Sequence, residues 1–290
     1  MRKILIIAGP TASGKSSRAV AEAIARGRLP AGRQGEVISV DSRQVYRGLD
    51  IGTEKITKEE MRGVPHHLID VLDPSEKYSA GQFAEDAGRL IEEISRRGKL
   101  PILAGGTHFY FDALLNPLPQ APVDEKLRLE LEKLSNEELL ERVRAADSAR
   151  AAALDPANRR RLIRALELIK AYGSVPPRAR SARYEVEWTI LEPDPKRLRK
   201  RLAEREASKF PRGLVEEVKR VREAVGDARL DELGLEYRIV GEYLRKKRSE
   251  ESLLPALSAK LWQYARRQYA WLRKLRDESI AAAPSPPGRS

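Results

Sequence analysis

Not one of the 290 residues is a cysteine. That excludes disulfides, thiolate metal ligands and a cysteine nucleophile, and it suits a reducing compartment such as the cytoplasm. No uncharged apolar run is long enough to read as a membrane span. The first residues pass directly into the aliphatic stretch Ile4-Leu5-Ile6-Ile7-Ala8, without the regions of a signal peptide. The Asn-Lys-x-Asp motif of nucleotide switches does not occur, and the apolar run Leu100-Pro101-Ile102-Leu103-Ala104 ends in Gly105-Gly106-Thr107 rather than in the aspartate of a Walker-B strand. These absences count against a membrane protein, a switch and an ordinary triphosphate hydrolase.

Directly after the first aliphatic stretch stands Gly9-Pro10-Thr11-Ala12-Ser13-Gly14-Lys15-Ser16. Its pattern, G-x-x-x-x-G-K-[ST] between a strand and an alanine-rich helix, is that of a phosphate-binding loop. The glycines allow a tight turn and close approach of the backbone to a ligand. Successive backbone N–H groups and the following helix N-terminus then attract an anion. Lys15 reaches a terminal phosphate oxygen, and the Ser16 hydroxyl is the expected ligand for Mg²⁺.

Strands and helices alternate through the first part of the chain. A second strand over Glu36–Val40 ends in Asp41-Ser42-Arg43-Gln44, a helix follows over Ser79–Gly98, and the strand at 100–104 stops at Gly105-Gly106-Thr107. This order predicts an α/β fold, a P-loop NTPase-like parallel sheet flanked by helices. Ligands of such sheets sit beyond the carboxyl ends of the strands, so Asp41 and Thr107 belong to the rim that carries the phosphate loop. The adjacent His66 and His67 point to opposite faces of an extended chain and do not form a metal pair.

The proline-rich stretch Asn116–Pro122 marks a hinge, and the charged helical sequence beyond it ends at Gly173-Ser174-Val175-Pro176-Pro177. Residues 117–182 therefore read as a helical insertion in a core made of 1–116 and 183–278, with a disordered Pro/Ser/Gly-rich tail over 279–290. Net charge is +12, from 55 basic and 43 acidic residues, which suggests a polyanionic partner, nucleic acid before membrane. Arginines are dense at Arg159–Arg164, and the last helix mixes Tyr264, Arg266, Arg267, Gln268, Tyr269 and Trp271. Such mixing suits a single-stranded nucleic acid, although a helix docking its aromatics on the core reads much the same.

In order along the chain, Gly9–Ser16, Asp41-Ser42-Arg43-Gln44-Val45-Tyr46, Asp50-Ile51-Gly52-Thr53-Glu54-Lys55 and Gly105-Gly106-Thr107 together resemble the tRNA dimethylallyltransferase (tRNA isopentenyltransferase) family. Pro65–Asp70, Arg161–Glu167 and Ala265-Arg266-Arg267-Gln268 extend the resemblance over nearly the whole chain except the tail. Two places depart from the family pattern: His108-Phe109 after the Gly-Gly-Thr, and Leu235-Glu236-Tyr237-Arg238 where relatives often carry Gly-Tyr-Lys/Arg.

The resemblance implies transfer of a dimethylallyl group from dimethylallyl diphosphate to the exocyclic amine of the adenosine 3′ of a tRNA anticodon, with release of diphosphate. It implies Asp41 as the base, Thr107 as the hydroxyl beside the amine, and Arg205 with the phosphate loop as stabilisers of the leaving group. Asp41, Ser42, Arg43 and Gln44 would read the extruded base. Arg128, the run Arg160, Arg161, Leu162, Ile163, Arg164, and Arg266, Arg267, Gln268 would hold the anticodon stem-loop. The chain is expected to be a cytoplasmic monomer with no membrane contact. Two other readings compete: a P-loop small-molecule or nucleoside kinase with Asp41 deprotonating a hydroxyl, and isopentenyl transfer to free adenine nucleotides, which needs no basic RNA surface.

Overall fold

A computed structural model describes residues 1–27, 34–116, 124–176 and 183–281. The elements run in the order β1 Arg2–Ala8, α1 Lys15–Gly27, β2 Gly35–Val40, α2 Lys58–Met61, β3 His66–His67, α3 Ala80–Arg96, β4 Leu100–Gly105, α4 His108–Leu115, α5 Glu125–Leu131, α6 Asn136–Ala146, α7 Ser148–Ala152, α8 Arg159–Tyr172, β5 Tyr184–Ile190, α9 Pro195–Lys209, α10 Leu214–Glu232, α11 Leu235–Leu244 and α12 Leu253–Ala281. They fall into two compact units, Leu115–Ser181 and the remainder of the chain. The insertion expected over 117–182 corresponds to the first of these.

In the larger unit five parallel strands stand in the order β3-β2-β4-β1-β5. Ile4–Ala8 on β1 are all fully buried, as expected of a parallel strand covered on both faces. Their place between β4 and β5 explains why the run shows no alternation. The segment 64–71, which includes a short apolar strand-like piece, contributes His66–His67 at the sheet edge. His66 Nδ1 pairs with the Val64 carbonyl at 2.8 Å and His67 Nε2 with the Glu36 carboxylate at 2.8 Å, so both histidines are structural.

Helix α3 starts in a capping box, with Ser79 accepting from the Gln82 backbone and Gln82 from that of Ser79. Its Phe83, Ala87, Ile91 and Ile94 are buried, the face expected from their spacing. Beyond β5, the breaker Pro211 and Gly213 separates α9 from α10, and Gly226 (φ 75°, ψ 170°) adds a kink inside α10. Helix α12 continues to Ala281, past residue 279 where the tail is expected to begin; residues 282–290 lie outside the described residues.

The smaller unit has its own core around Leu131, Leu139, Val143, Leu162 and Ile163. Leu139 and Leu162 are fully buried, each contributing about 1.5–3 kcal/mol by removal from water. Helix α8 is capped at its start by Asn158, whose side chain accepts from Arg161 N–H, and at its end by Gly173 with φ 80°, the left-handed conformation glycine adopts at least cost.

Candidate active site

Because β2, β4 and β1 are neighbours, the loops that leave their carboxyl ends stand side by side. The phosphate loop follows β1, Asp41–Gln44 follows β2 and Gly106-Thr107 follows β4. The approach of these loops depends on glycine. A Cβ on Gly105 would stand 2.1 Å from the Val40 carbonyl oxygen, and one on Gly106 2.5 Å from Gln268 Nε2. The Thr107 N–H donates to the Val40 carbonyl at 3.2 Å, which ties the two loops together at the rim.

The phosphate loop is held in shape from within and without. Ser13 N–H donates to Pro10 O at 3.2 Å, and Ala12 and Gly14 take positive φ of 61° and 88°. Lys15 Nζ, folded back under the loop, donates to the same Pro10 carbonyl at 2.7 Å. From α9, Arg205 Nη2 donates to Thr11 Oγ1 at 3.0 Å and Arg201 Nη1 to the Ala12 carbonyl at 2.9 Å. From α12, Gln268 accepts from Thr11 N–H at 2.8 Å and donates to the Gly106 carbonyl at 2.9 Å.

Burial pushes the Lys15 ammonium down to about 8, with repulsion from Arg205 adding to the effect and the attraction of Asp41 opposing it. Lys15 therefore stands within reach of both charges. An anion in the loop would favour the protonated form. Affinity for sulfate, whose own charge does not change in this range, should then fall as pH rises through about 8, by no more than about tenfold per unit because one proton of the protein is involved. Below that pH the free protein already carries the proton and affinity should level off. Calorimetric titrations between pH 7 and 10 check this, and a flat profile would show that Lys15 does not meet the ligand.

Asp41 is fixed by its own loop: Oδ1 accepts from the backbone N–H groups of Arg43 at 2.8 Å and Gln44 at 3.3 Å. Thr107 Oγ1 accepts from Ser42 N–H at 3.3 Å. Gln44 turns its amide away from the rim and donates to the carbonyls of Thr53 and Glu54 at 3.2 and 3.1 Å. In this structure its amide holds the Asp50–Lys55 turn. Tyr264 on α12, whose phenol is pushed up to about 12 by burial and by the charge of Asp41, walls the same region. Tyr110 on α4 is raised in the same way, and Asp41 contributes. Neither tyrosine was singled out for the site by its sequence context: Tyr264 reads as one of the aromatics mixed with cations on the last helix, and Tyr110 belongs to no motif.

The residues expected on an RNA surface divide by burial. Arg266 and Arg267 on α12 are exposed and line a cleft of about 770 Å³, together with Trp262, Tyr269, Arg273 and the Glu192–Pro195 turn after β5. Gln268 in the same motif is buried and braces the phosphate loop, so in this structure it cannot touch a tRNA backbone. Within the smaller unit Arg160 and Arg161 are exposed. Arg128 and Arg164 converge on the buried Glu167 carboxylate at 2.8 and 2.9 Å and keep part of each guanidinium accessible. Leu162 and Ile163, expected on the RNA surface, are core residues here, as the apolar face of an amphipathic helix must be.

A family model for IPP transferases matches residues 44–275. The chain belongs to the IPP transferase family. It is 40% identical to the tRNA dimethylallyltransferase of Thermomicrobium roseum, with 95% of this chain and 85% of that protein covered. It is 38% identical to the tRNA dimethylallyltransferase of Anaeromyxobacter dehalogenans, covering 98% and 96%. Among solved structures, the tRNA isopentenylpyrophosphate transferase of Bacillus halodurans aligns with TM-score 0.68 at 37% identity, over 94% of this chain and 87% of that one. A eukaryotic dimethylallyltransferase acting on tRNA aligns with TM-score 0.82 at 29% identity, over 94% and 70%. At the two positions expected to depart from the family pattern, the structure shows the following contacts. His108 lies against Trp271 with ring centroids 5.6 Å apart, and the carboxylate of Glu236 accepts from Lys209 at 2.9 Å.

Among the described residues no group of three or more histidine, aspartate or glutamate side chains could hold a metal. Magnesium bound with substrate phosphates does not need one, because it keeps most of its waters and takes only one or two protein ligands. The exposed Ser16 hydroxyl at the start of α1, next to a loop shaped for an anion, fits that donor set.

Proposed function

We propose that this chain transfers the dimethylallyl group of dimethylallyl diphosphate to N6 of the adenosine 3′-adjacent to the anticodon of a tRNA, releasing diphosphate. The observation that carries the reading is the sharing of one rim by a phosphate loop and a fixed carboxylate, Asp41, both within the electrostatic reach of Lys15. Membership of the IPP transferase family, whose relatives are named for tRNA, supports it.

The new bond joins N6 to C1 of the prenyl group as the C1–oxygen bond breaks, and the electron pair of that bond leaves with the diphosphate. Adenine N6 is a weak nucleophile because its lone pair is delocalised into the ring, so its proton must leave as the bond forms. Asp41 takes that proton. Its Oδ1 is fixed by two backbone N–H groups, which orients Oδ2 towards the amine. Thr107, on the same loop junction, orients the amine. Negative charge grows on the departing diphosphate, and donors fixed in advance stabilise it most where it appears. Lys15, the loop N–H groups and Arg205 are those donors. Magnesium held at Ser16 would neutralise further charge on the phosphate oxygens.

Adenine stacked in an anticodon loop is out of reach, so the base must be extruded into the protein. Tyr110 and Tyr264 near Asp41 offer apolar walls for it. Arg160 and Arg161, with the accessible parts of Arg128 and Arg164, and Arg266 and Arg267 then hold the RNA backbone. The reading includes a monomer acting in the cytoplasm; no helix among the described residues is long and apolar enough to cross a membrane.

Incubating the purified protein with unmodified tRNA and dimethylallyl diphosphate should yield dimethylallyladenosine in the anticodon loop, detected by mass analysis of the nucleosides. Transfer of the γ-phosphate of ATP to a small acceptor, without prenylated tRNA, would favour the kinase reading. Prenylation of free adenine nucleotides in preference to tRNA would move the substrate assignment.

A further inference from the structure

One buried cation is not part of the chemistry just described. Lys209, the last residue of α9, is wholly inaccessible. Its Nζ lies 2.9 Å from Glu206 Oε2, and it donates to Glu236 Oε1 at 2.9 Å and to the Gly52 carbonyl at 2.9 Å. Isolated charges are not buried without partners, and this one has three, drawn from α9, α11 and the Asp50–Lys55 turn.

Each partner leads on towards the rim. The other oxygen of Glu206, Oε1, accepts from Arg205 Nε and Nη2, both at 3.3 Å, while the same Nη2 reaches Thr11 in the phosphate loop. On the opposite side, the turn that Lys209 holds is the one on which Gln44 docks, and the Gln44 backbone N–H donates to Asp41. That turn is clamped a second time. Buried Glu217 accepts from the N–H groups of Asp50, Ile51 and Gly52 at 3.0, 2.7 and 2.9 Å and from the Tyr237 hydroxyl at 2.7 Å. A Cβ on Gly52 would stand 2.8 Å from that hydroxyl, so the turn has little room to move.

From this continuous chain of contacts we infer that Lys209 is a positioning residue: with Glu206 and Glu236 it sets Arg205 against the phosphate loop and fixes the turn behind Asp41, registering the two ends of the reaction site. The inference rests on the reading of Arg205 as a ligand of the diphosphate. Burial raises the Glu206 carboxyl above its ordinary range, Glu236 adds to this, and Lys209 and Arg205 oppose it. Without Lys209 the one remaining cation beside Glu206 among the described residues is Arg205, which would be drawn inward and away from Thr11.

The test is a double-mutant cycle on the full chain with inorganic diphosphate as the probe. Lys209→Met is expected to weaken diphosphate binding by about tenfold, the size of one charge-assisted contact, with tRNA affinity within about twofold. In an Arg205→Ala background the same change should add nothing further, because the two act as one unit. Glu206→Gln, nearly isosteric and with thermal unfolding followed in parallel, repeats the test should Lys209→Met fail to fold. Equal weakening by either variant with and without Arg205, or a lowered melting temperature with diphosphate affinity unchanged, would reduce the cluster to a fold-stabilising one and overturn the inference. Absence of prenyl transfer by the wild-type protein would overturn the proposed function and leave the diphosphate cycle intact.

Discussion

Replacing Asp41 with asparagine is expected to lower kcat for prenyl transfer by about 10²- to 10⁴-fold, the range that a positioned general base supplies. The substitution preserves shape. Asparagine keeps a side-chain oxygen for the N–H groups of Arg43 and Gln44, which Asp41 Oδ1 now accepts at 2.8 and 3.3 Å, so the loop after β2 should stay folded. What it loses is the ability to take the N6 proton. tRNA affinity should stay within a few-fold, since the phosphate contacts that dominate RNA affinity lie elsewhere. Single-turnover prenylation with enzyme in excess, together with direct tRNA binding, separates the two quantities. A variant that binds tRNA poorly but reacts at the wild-type rate once bound would show Asp41 to be a reader of the base and not its proton acceptor.

Lys15→Met is expected to lower kcat/KM for the prenyl diphosphate by about 10²- to 10³-fold, the cost of removing one preorganised donor to a developing anion. The ammonium has a second partner, the Pro10 carbonyl at 2.7 Å, and a purely architectural role in bracing the loop is the competing explanation. Stability decides between them. A lysine held down to about 8 in the folded chain and near 10.4 unfolded is destabilising at neutral pH, because the unfolded state binds the proton more tightly. Removing the charge should leave the melting temperature unchanged or slightly raised while activity collapses. A substantial drop in melting temperature with diphosphate affinity preserved would assign Lys15 to the loop's architecture.

Much of the site can be read along the chain because its signals are local. A phosphate loop needs its glycines, lysine and serine at fixed spacing, and a buried parallel strand needs a short aliphatic run, so Ile4–Ser16 is legible without tertiary information. Asp41 and Thr107 could be placed at the rim for the same reason, since each follows the end of a strand. The residues expected to face RNA are less legible. A motif names a stretch, whereas a helix turns its residues to different sides: in Arg160–Arg164, Leu162 and Ile163 go to the core, and in Arg266–Gln268 the glutamine goes to the phosphate loop. Helical periodicity could have sorted the first case. The second could not be foreseen, because the partner of Gln268 lies 257 residues away.

The sequence by itself determined that a phosphate loop opens a parallel α/β sheet, that a carboxylate and a hydroxyl end two further strands, and that a separate helical unit interrupts the core. These follow from short-range rules of backbone geometry and apolar spacing. Only the tertiary structure decided that β4 lies between β1 and β2, which makes the loops of Lys15, Thr107 and Asp41 neighbours along the rim. It alone decided that Lys209 is buried between Glu206, Glu236 and Gly52. Strand order and the pairing of buried charges are set by packing between segments remote in sequence, and no local pattern encodes which distant group will be the neighbour.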